Sequence, residues 1–276
     1  MSSNTEAELA SKNQFTEVYK RSKEPVMKAI ERQVCGCDYG GSSWTTRHQV
    51  DALIGLLCLD TGSELLDLGA GTGWPGIYLA KESGCNATLV DLPEIGLQIA
   101  KKRAQEEGLA NQISIKIADA ADLPFPKASF DAINHSDLLC CLVRKRAVLS
   151  QCNTIIRPQG KMVFTVISIV PGLSKSQYTR AVANAPEFAK TETDYHSMLF
   201  QTGWQVIECT DLTNEYGESC ARQIEADTAC WDELETLVGT NQVNERMANW
   251  QSKLDAIRDG LVQRELFVCQ PIQSPG

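Results

Sequence analysis

The sequence predicts an α/β protein built on a doubly wound, seven-stranded and mostly parallel sheet. Between residues 63 and 168, short apolar segments alternate with segments of helical character. Strands that alternate with helices in this way pair in parallel through right-handed crossovers, with helices on both faces. The first apolar segment ends in a glycine-rich turn at residues 69–73, at the edge where such sheets bind ligands.

Composition limits the architecture and the partners. The chain has 276 residues, 43% of them hydrophobic, which suits one large core with a smaller appended cap. Its net charge of −9 repels phosphates, so nucleic acid and membrane surfaces are poor partners. No apolar run reaches the roughly 20 residues of a membrane span, and no signal peptide is evident. We therefore expect a soluble cytoplasmic protein, either a monomer or a homodimer.

The N-terminal part is predicted to form a lid over residues 1–45. Residues 1–13 are polar and expected to be frayed, and residues 14–34 read as helical with a break at Pro25. The glycine-rich passage at 35–43 is a loop. Residues 44–58 then carry apolar side chains at helical spacing.

The predicted core covers residues 46–213 and 261–276, and a helical cap covers 214–260. The expected strands are 63–68, 86–92, 113–119, 130–136, 160–168, 204–213 and 265–272. The expected helices between them are 75–83, 94–107, 136–156 and 173–202, the last with a break at Pro186. The cap is inserted before the final strand.

The eleven cysteines predict neither a metal site nor a nucleophile. Their spacing is irregular, no CxxC pair occurs, and the three histidines stand far apart. We therefore expect no metal and mostly reduced, buried thiols. The adjacent Cys140 and Cys141 lie in an apolar stretch, which favours packing over reactivity.

Three consecutive strand ends carry residues suited to a nucleoside. Gly69, Gly71 and Gly73 follow the first strand and let the backbone approach a ligand. Asp91 ends the second strand, where a carboxylate can accept hydrogen bonds from both ribose hydroxyls. Asp119 ends the third strand and can accept from an exocyclic amine such as that of adenine.

The glycine turn also fits a dinucleotide fingerprint, so an NAD(P)-dependent oxidoreductase is one alternative. Gly71, Gly73 and Gly76 have the GxGxxG spacing, and Asp91 lies about twenty residues downstream. Against this, Asp67 interrupts the first strand, the glycine loop is longer than required, and no second domain is evident. A cofactor-binding protein without transferase activity is a further alternative.

The motif series resembles the class I S-adenosylmethionine-dependent methyltransferases, which share a Rossmann-like fold. LLDLGAGTGWPGIYLA, LVDLP, ADAADLPF, FDAINHSDLL and IIRPQGKMVFTVIS follow the order and spacing of the family's motifs over about residues 60–170. The resemblance implies that the cofactor is S-adenosylmethionine. It implies that the three glycines line the methionine end, that Asp91 holds the ribose, and that Asp119 and Ala120 hold the adenine. The expected cofactor-binding set is Asp67, Gly69, Ala70, Gly71, Gly73, Asp91, Leu92, Asp119, Ala120, Asn134 and His135.

The flanking segments look similar to the small-molecule branch of that family, which includes phosphoethanolamine, sterol and tocopherol methyltransferases. In this branch an N-terminal segment folds over the cofactor and a cap covers the acceptor. In the phosphoethanolamine group a histidine follows the fourth motif in the spacing DxxxH. Here Asp137 is followed at that spacing by Cys141, which weakens a phosphobase assignment.

The expected reaction is in-line attack of a small-molecule acceptor on the sulfonium methyl, with the protein supplying alignment and desolvation. His135 is the first candidate for a general base. Asp137 orients an amine or caps the next helix. Tyr195 and His196 are expected to border the acceptor. The sequence leaves open whether nitrogen, oxygen, carbon or sulfur is methylated.

Overall fold

The computed structural model describes residues 6–40 and 43–273. Its strands are β1 Glu64–Leu68, β2 Asn86–Asp91, β3 Ile113–Ile117, β4 Phe130–Ser136, β5 Ile156–Ile169, β6 Trp204–Asp211 and β7 Val262–Pro271. They form one seven-stranded sheet in the order β3-β2-β1-β4-β5-β7-β6. The strand order reverses between β1 and β4, so a crevice opens at their carboxyl ends.

The pairing confirms the mostly parallel, doubly wound sheet. The neighbours from β3 to β5 are parallel, and only β7 runs antiparallel, to β5 on one side and β6 on the other. Side chains of one strand alternate between two cores. Leu65 joins the cluster on one face, whereas Leu66 and Leu68 join the cluster on the other. Burial on both faces explains why central strands such as β1 have nearly continuous apolar sequences.

Eleven helices are found in the described residues. They are α1 Glu6–Arg21, α2 Pro25–Cys35, α3 Arg47–Leu56, α4 Gly76–Ser83, α5 Glu94–Glu106, α6 Lys145–Ile155, α7 Lys175–Asn184, α8 Tyr195–Gln201, α9 Thr213–Ala229, α10 Trp231–Val238 and α11 Thr240–Arg258. The helix predicted to start near residue 44 begins after Thr46, whose side chain accepts from the N–H of Gln49 in a capping box. The break predicted at Pro25 separates α1 from α2.

The N-terminal segment is more ordered than predicted. Residues 6–13 are helical and belong to α1, so the expectation that they are frayed is wrong. The helix is held because Tyr19 is buried near the end of β2, where its hydroxyl contacts Asp91. Residues 1–5, and Gly41 and Ser42 of the predicted glycine-rich loop, lie outside the described residues.

The helix predicted from residue 136 starts later than expected. Asp137 has a φ of +51°, a left-handed conformation that cannot continue into a helix. A short 3₁₀ turn, Leu139–Cys141, follows instead, and α6 begins only at Lys145. The turn opens the chain at the end of β4 and places residues 136–142 at the crevice.

The predicted insert before the last strand consists of α9, α10 and α11. These helices do not have a core of their own, because Tyr216, Cys220 and Leu254 pack into one of the two sheet-covering clusters. The strand that follows starts at Val262 rather than 265, since it pairs with β5 as far as Ile169.

Candidate functional site

A cavity of about 390 Å³ lies at the carboxyl ends of the central strands, a volume within the range of small-molecule sites. Residues of α1, the turn after β1, the ends of β2 and β4, and α11 line it. Along the sheet edge, Asp119 follows β3, Asp91 ends β2, Gly69 follows β1 and Asp137 follows β4. The cavity thus has a carboxylate end, a glycine middle and a far end beside β4 and β5.

The turn after β1 requires glycine at two of its cavity-lining positions, Gly69 and Gly71. Gly69 and Gly71 have φ values of +69° and +52°, which side chains rarely adopt. A Cβ on Gly71 would lie 2.9 Å from the hydroxyl of Tyr19, and one on Gly69 would lie 2.9 Å from Leu138 Cδ1. The bare backbone therefore forms the cavity floor. Gly73, with a φ of +101°, faces Ile77 instead.

Asp67 organises this turn from inside β1. Its Oδ2 accepts from the backbone N–H of Gly76 at 3.0 Å, and its Oδ1 accepts from Asn134 Nδ2 at 2.6 Å. Burial raises the pKa of Asp67 to about 7, against the opposing effect of these donors. Asn134 is buried behind Asp67 and does not line the cavity. The pair fixes the start of α4 relative to the glycine turn.

Asp91 presents its carboxylate at the cavity. Oδ2 accepts from the N–H of Gly71 at 2.8 Å and from the hydroxyl of Tyr19 at 3.3 Å, while Oδ1 accepts from the N–H of Leu92 at 2.7 Å. Burial raises the pKa of Asp91 to about 6. A carboxylate has about four acceptor positions, so Oδ1 retains capacity for a ligand donor.

The third strand end is closed by an ion pair. Asp119 accepts from the N–H of Ala121 at 2.8 Å and from Arg144 Nη2 at 2.6 Å. Asp119, Leu142 and Arg144 line the cavity, whereas Ala120 does not. Ala70 and Leu92 line the cavity as expected from the sequence.

His135 is buried away from the cavity, which contradicts its expected position at the transfer point. It is paired in register with Phe164 of β5, and the two rings stack with centroids 4.5 Å apart. Burial lowers the pKa of His135 to about 3, and neither ring nitrogen has a hydrogen-bond partner among the described residues. A neutral imidazole that does not reach the cavity is unsuited to act as the acceptor's base.

Tyr195 and His196 are also remote from the cavity lining, contrary to expectation. Tyr195 is buried between α8 and the sheet, with its ring 6.1 Å from that of Phe267. His196 is exposed and meets Phe267 edge-on at 5.3 Å. Both lie against β7, because α8 packs beside the antiparallel end of the sheet.

Asp137 lines the cavity. Its side chain does not cap a helix, which was one of the two roles predicted for it from the sequence. It pairs instead with Arg264 of β7, which is fully buried. The guanidinium also donates to Thr45 Oγ1 at 3.0 Å. Arg264 was not predicted from the sequence, where a cation within the last apolar strand was the available signal.

Two tryptophans and a lysine form the far end of the cavity. Trp44 meets Trp250 edge-on with ring centroids 5.4 Å apart, and Lys253 lies one helical turn after Trp250 on α11. Ile167 of β5 completes this end. Tyr39, also in the predicted lid, packs on Trp74 instead. Tyr19 and Lys253 carry no local sequence signal.

In the described ranges, no helix is long and apolar enough to cross a membrane. The same ranges contain no cluster of three or more His, Cys, Asp or Glu side chains arranged for a metal ion. All eleven cysteines are free thiols.

Comparison with known sequences places the motif region in a described family. Residues 66–164 match the family described as a methyltransferase domain. The chain is 27% identical over 172 residues to 27-O-demethylrifamycin SV methyltransferase of Amycolatopsis mediterranei, a match that covers 61% of this chain and 63% of the relative. The match therefore spans less than two thirds of that relative's length.

Solved structures extend the similarity in fold to almost the whole chain. Phosphoethanolamine N-methyltransferase 2 of Haemonchus contortus, solved with phosphomonomethylethanolamine and S-adenosylhomocysteine, matches with a TM-score of 0.76 and 21% identity, over 94% of this chain and 61% of that one. Geranyl diphosphate C-methyltransferase of Streptomyces coelicolor matches with a TM-score of 0.75 and 15% identity, over 99% and 100%. The predicted Rossmann-like methyltransferase fold is confirmed.

Proposed function

We propose that this chain, which belongs to the class I S-adenosylmethionine-dependent methyltransferases of the small-molecule branch, transfers a methyl group to a small-molecule acceptor. The observation that carries the proposal is the order of groups along one cavity. Asp119, Asp91 and the glycine turn follow one another on adjacent strand ends, and a separate aromatic end follows them. This order matches adenine, ribose, methionine and acceptor.

The residues present fit the cofactor. The floor at Gly69 and Gly71 is bare backbone, where an added Cβ would meet Leu138 and Tyr19, and Asp91 Oδ1 keeps acceptor capacity for a ribose hydroxyl. The hydroxyl of Thr72, in the same turn, is buried without a partner among the described residues, so a ligand group can satisfy it. Asp119 and Leu142 would hold the base. When bound, S-adenosylmethionine would supply an activated methyl group, whose carbon the acceptor attacks in line while S-adenosylhomocysteine leaves.

The protein contributes by aligning the acceptor and excluding water from it. Asp137 is held rigid by Arg264 at the boundary between the two ends of the cavity, and Trp44 and Trp250 exclude water from the far end. Alignment of two reactants in this way supplies a large part of the rate enhancement of such transfers. The described cavity lining contains no histidine. This favours acceptors whose nucleophilic group loses its proton without a histidine as general base.

The division into lid (1–45), core (46–213 and 261–276) and cap (214–260) is part of this proposal. Two observations support it: Tyr19 of α1 covers the carboxylate of Asp91, and Trp250 and Lys253 of α11 line the opposite end. Both flanking segments thus contribute to the cavity wall, and Trp44 of the lid meets Trp250 of the cap at the far end. The acidic net charge of −9 supports a small molecule rather than nucleic acid as the partner. We propose that the protein acts in the cytoplasm as a monomer or homodimer.

Calorimetry with S-adenosylhomocysteine and with NAD(P)H tests the proposal against the dinucleotide alternative. We expect the protein to bind S-adenosylhomocysteine and not the nicotinamide nucleotide. The reverse result would establish an oxidoreductase-type site. A protein that binds S-adenosylhomocysteine but admits no acceptor-sized molecule beside it would be a cofactor-binding protein without transferase activity.

A further inference from the structure

The far end of the cavity carries positive charge and spare hydrogen-bond donors. Lys253 Nζ donates to the carbonyl oxygen of Asn184 at 3.0 Å, the last residue of α7, where an ammonium group complements the helix dipole. An ammonium has three donors, so two remain. Within the described residues, Lys253 forms no ion pair with a carboxylate.

A second donor lies beside Lys253. The indole Nε1 of Trp250 is buried and has no hydrogen-bond partner in the described part of the chain. Trp250 and Lys253 lie three residues apart, on one face of α11, and both line the cavity. A buried N–H without a partner is costly, so a ligand that accepts from it is stabilised.

The acidic groups of this end do not neutralise Lys253. Asp137 is paired with the guanidinium of Arg264, and Glu187 is exposed at the rim, where water screens it. The other close neighbours of Lys253 are the thiols of Cys140, Cys141 and Cys220 and the ring of Trp250, whose centroid is 5.9 Å from Nζ. Burial lowers the pKa of Lys253, against the opposing effect of these thiols.

The tryptophan ring is itself engaged by cations. Arg246, which pairs with Asp227, lies 5.5 Å from the centroid of the Trp250 ring, in addition to Lys253. A ring that already faces two cations is a poor site for an ammonium group of an acceptor. The charge of this end therefore selects against amines and favours acids.

We propose that Lys253 and Trp250, with Trp44 edge-on beside Trp250, bind an acceptor that is flat, largely apolar and negatively charged, such as an aromatic acid. The negative group accepts from Lys253 Nζ and Trp250 Nε1, while the hydrocarbon body packs against the two indole rings. This proposal rests on the proposed function, because it names the class of molecule that the transferase site receives. Lys253 acts in it as a specificity residue and takes no part in the bond changes.

Three probes that share one ring but differ in charge test the subsite. 4-Hydroxybenzoate is anionic, 4-hydroxybenzamide is neutral and tyramine is cationic near pH 7. Their affinities are measured by calorimetry on the full chain, with and without S-adenosylhomocysteine. We expect 4-hydroxybenzoate to bind about tenfold more tightly than the amide, which is the scale of one charge-assisted hydrogen bond, and tyramine to bind most weakly.

Variants at position 253 separate charge from packing. Lys253→Met keeps the aliphatic stem. It should weaken the binding of 4-hydroxybenzoate about tenfold and leave the affinity for 4-hydroxybenzamide unchanged. Lys253→Arg should keep part of the preference for 4-hydroxybenzoate over the amide. Lys175→Met, at an exposed position on α7, should leave the affinities for all three probes unchanged. If the only role of Lys253 is its hydrogen bond from α11 to α7, Lys253→Met lowers the melting temperature but keeps the ratio of acid affinity to amide affinity. That result would overturn the proposal.

Other results also decide against the subsite. Equal or tighter binding of the amide or of tyramine, or binding of none of the three probes, would contradict it. S-adenosylhomocysteine affinity is measured in parallel and should be the same in wild type and Lys253→Met, because Lys253 lies at the opposite end from Asp91 and Asp119. Failure of the wild type to bind S-adenosylhomocysteine rejects the proposed function, and the probe ratios still judge the subsite separately.

Discussion

Arg264 in β7 and Asp137 after β4 form a buried, two-point ion pair at the boundary of the cavity. Arg264 Nε donates to Oδ1 at 3.0 Å and Nη2 donates to Oδ2 at 2.9 Å, and the two side chains are 1% and 9% exposed. The same guanidinium donates to Thr45 Oγ1 and Thr165 Oγ1. One cation therefore connects the end of the lid at Thr45, the end of β4, β5 and the last strand.

Removal of this cation should destabilise the fold. Arg264→Met leaves the carboxylate of Asp137 buried without its partner, which costs about 3–5 kcal/mol. Urea denaturation measures the loss. The matched control is Arg180→Met, which removes an exposed pair with Asp259 and should cost under about 1 kcal/mol. Equal losses of unfolding free energy in the two variants would show that the buried ion pair stabilises the fold no more than the exposed one.

A methyl group on the cavity floor should damage both the turn and the ligand site. Gly71→Ala places a Cβ 2.9 Å from the hydroxyl of Tyr19, at a φ of +52°. We expect a loss of stability of about 1–2 kcal/mol together with weaker S-adenosylhomocysteine binding. Gly108→Ala has a φ of +75° but open space around its Cβ, so it should lose stability and keep ligand affinity. Unchanged affinity in Gly71→Ala would remove this glycine from the ligand floor.

The raised pKa of Asp67 predicts a specific pH dependence. Burial raises it to about 7, whereas the unfolded chain releases this proton near pH 4. The folded protein thus holds an extra proton between these values, so the stabilising contribution of Asp67 is full below about pH 4 and is lost as the pH rises through about 7.

Asp67→Asn cannot titrate, so the free energy of unfolding of the wild type relative to this variant should rise as the pH falls from 7 to 5. The slope should approach about 1.4 kcal/mol per pH unit. Asp122→Asn, at an exposed position, provides the control and should show no such slope. A flat difference for Asp67→Asn would mean that Asp67 is ionised in the folded state.

Replacement of His135 should spare catalysis. The ring stacks on Phe164 and its nitrogens have no partner in the described structure, so His135→Phe should change stability by under about 2 kcal/mol. S-adenosylhomocysteine affinity and methyl transfer to any accepted acid should persist. A loss of transfer beyond about a hundredfold in a folded variant is the scale expected for a general base and would restore His135 to that role.

The local features of the site could be predicted from the sequence because they depend on a few neighbouring residues. The turn from Gly69 to Gly76, the carboxylate of Asp91 and the doubly wound, mostly parallel sheet follow from spacing and from the rules of parallel sheets. The structure adds to Asp91 a partner that spacing does not reveal, since the hydroxyl of Tyr19 comes from a helix 72 positions earlier.

The far end of the cavity could not be predicted, because its residues meet only through tertiary packing. Trp44, Trp250 and Lys253 come from segments separated by about two hundred positions, and no local pattern links them. His135 was misplaced for a related reason. Its position at the end of β4 suggested an exposed tip, but the register puts it beside Phe164 and thus inside the sheet-covering core.

The calorimetric affinity for S-adenosylhomocysteine in the wild type, in Asp91→Asn and in the exposed control Asp122→Asn tests whether the cavity binds S-adenosylmethionine through Asp91. We predict saturable binding by the wild type and the control, binding at least about tenfold weaker in Asp91→Asn because a charge-assisted hydrogen bond to the ribose is lost, and no binding of NAD(P)H. Absence of S-adenosylhomocysteine binding in the wild type, or equal affinity in Asp91→Asn and the control, would contradict the account.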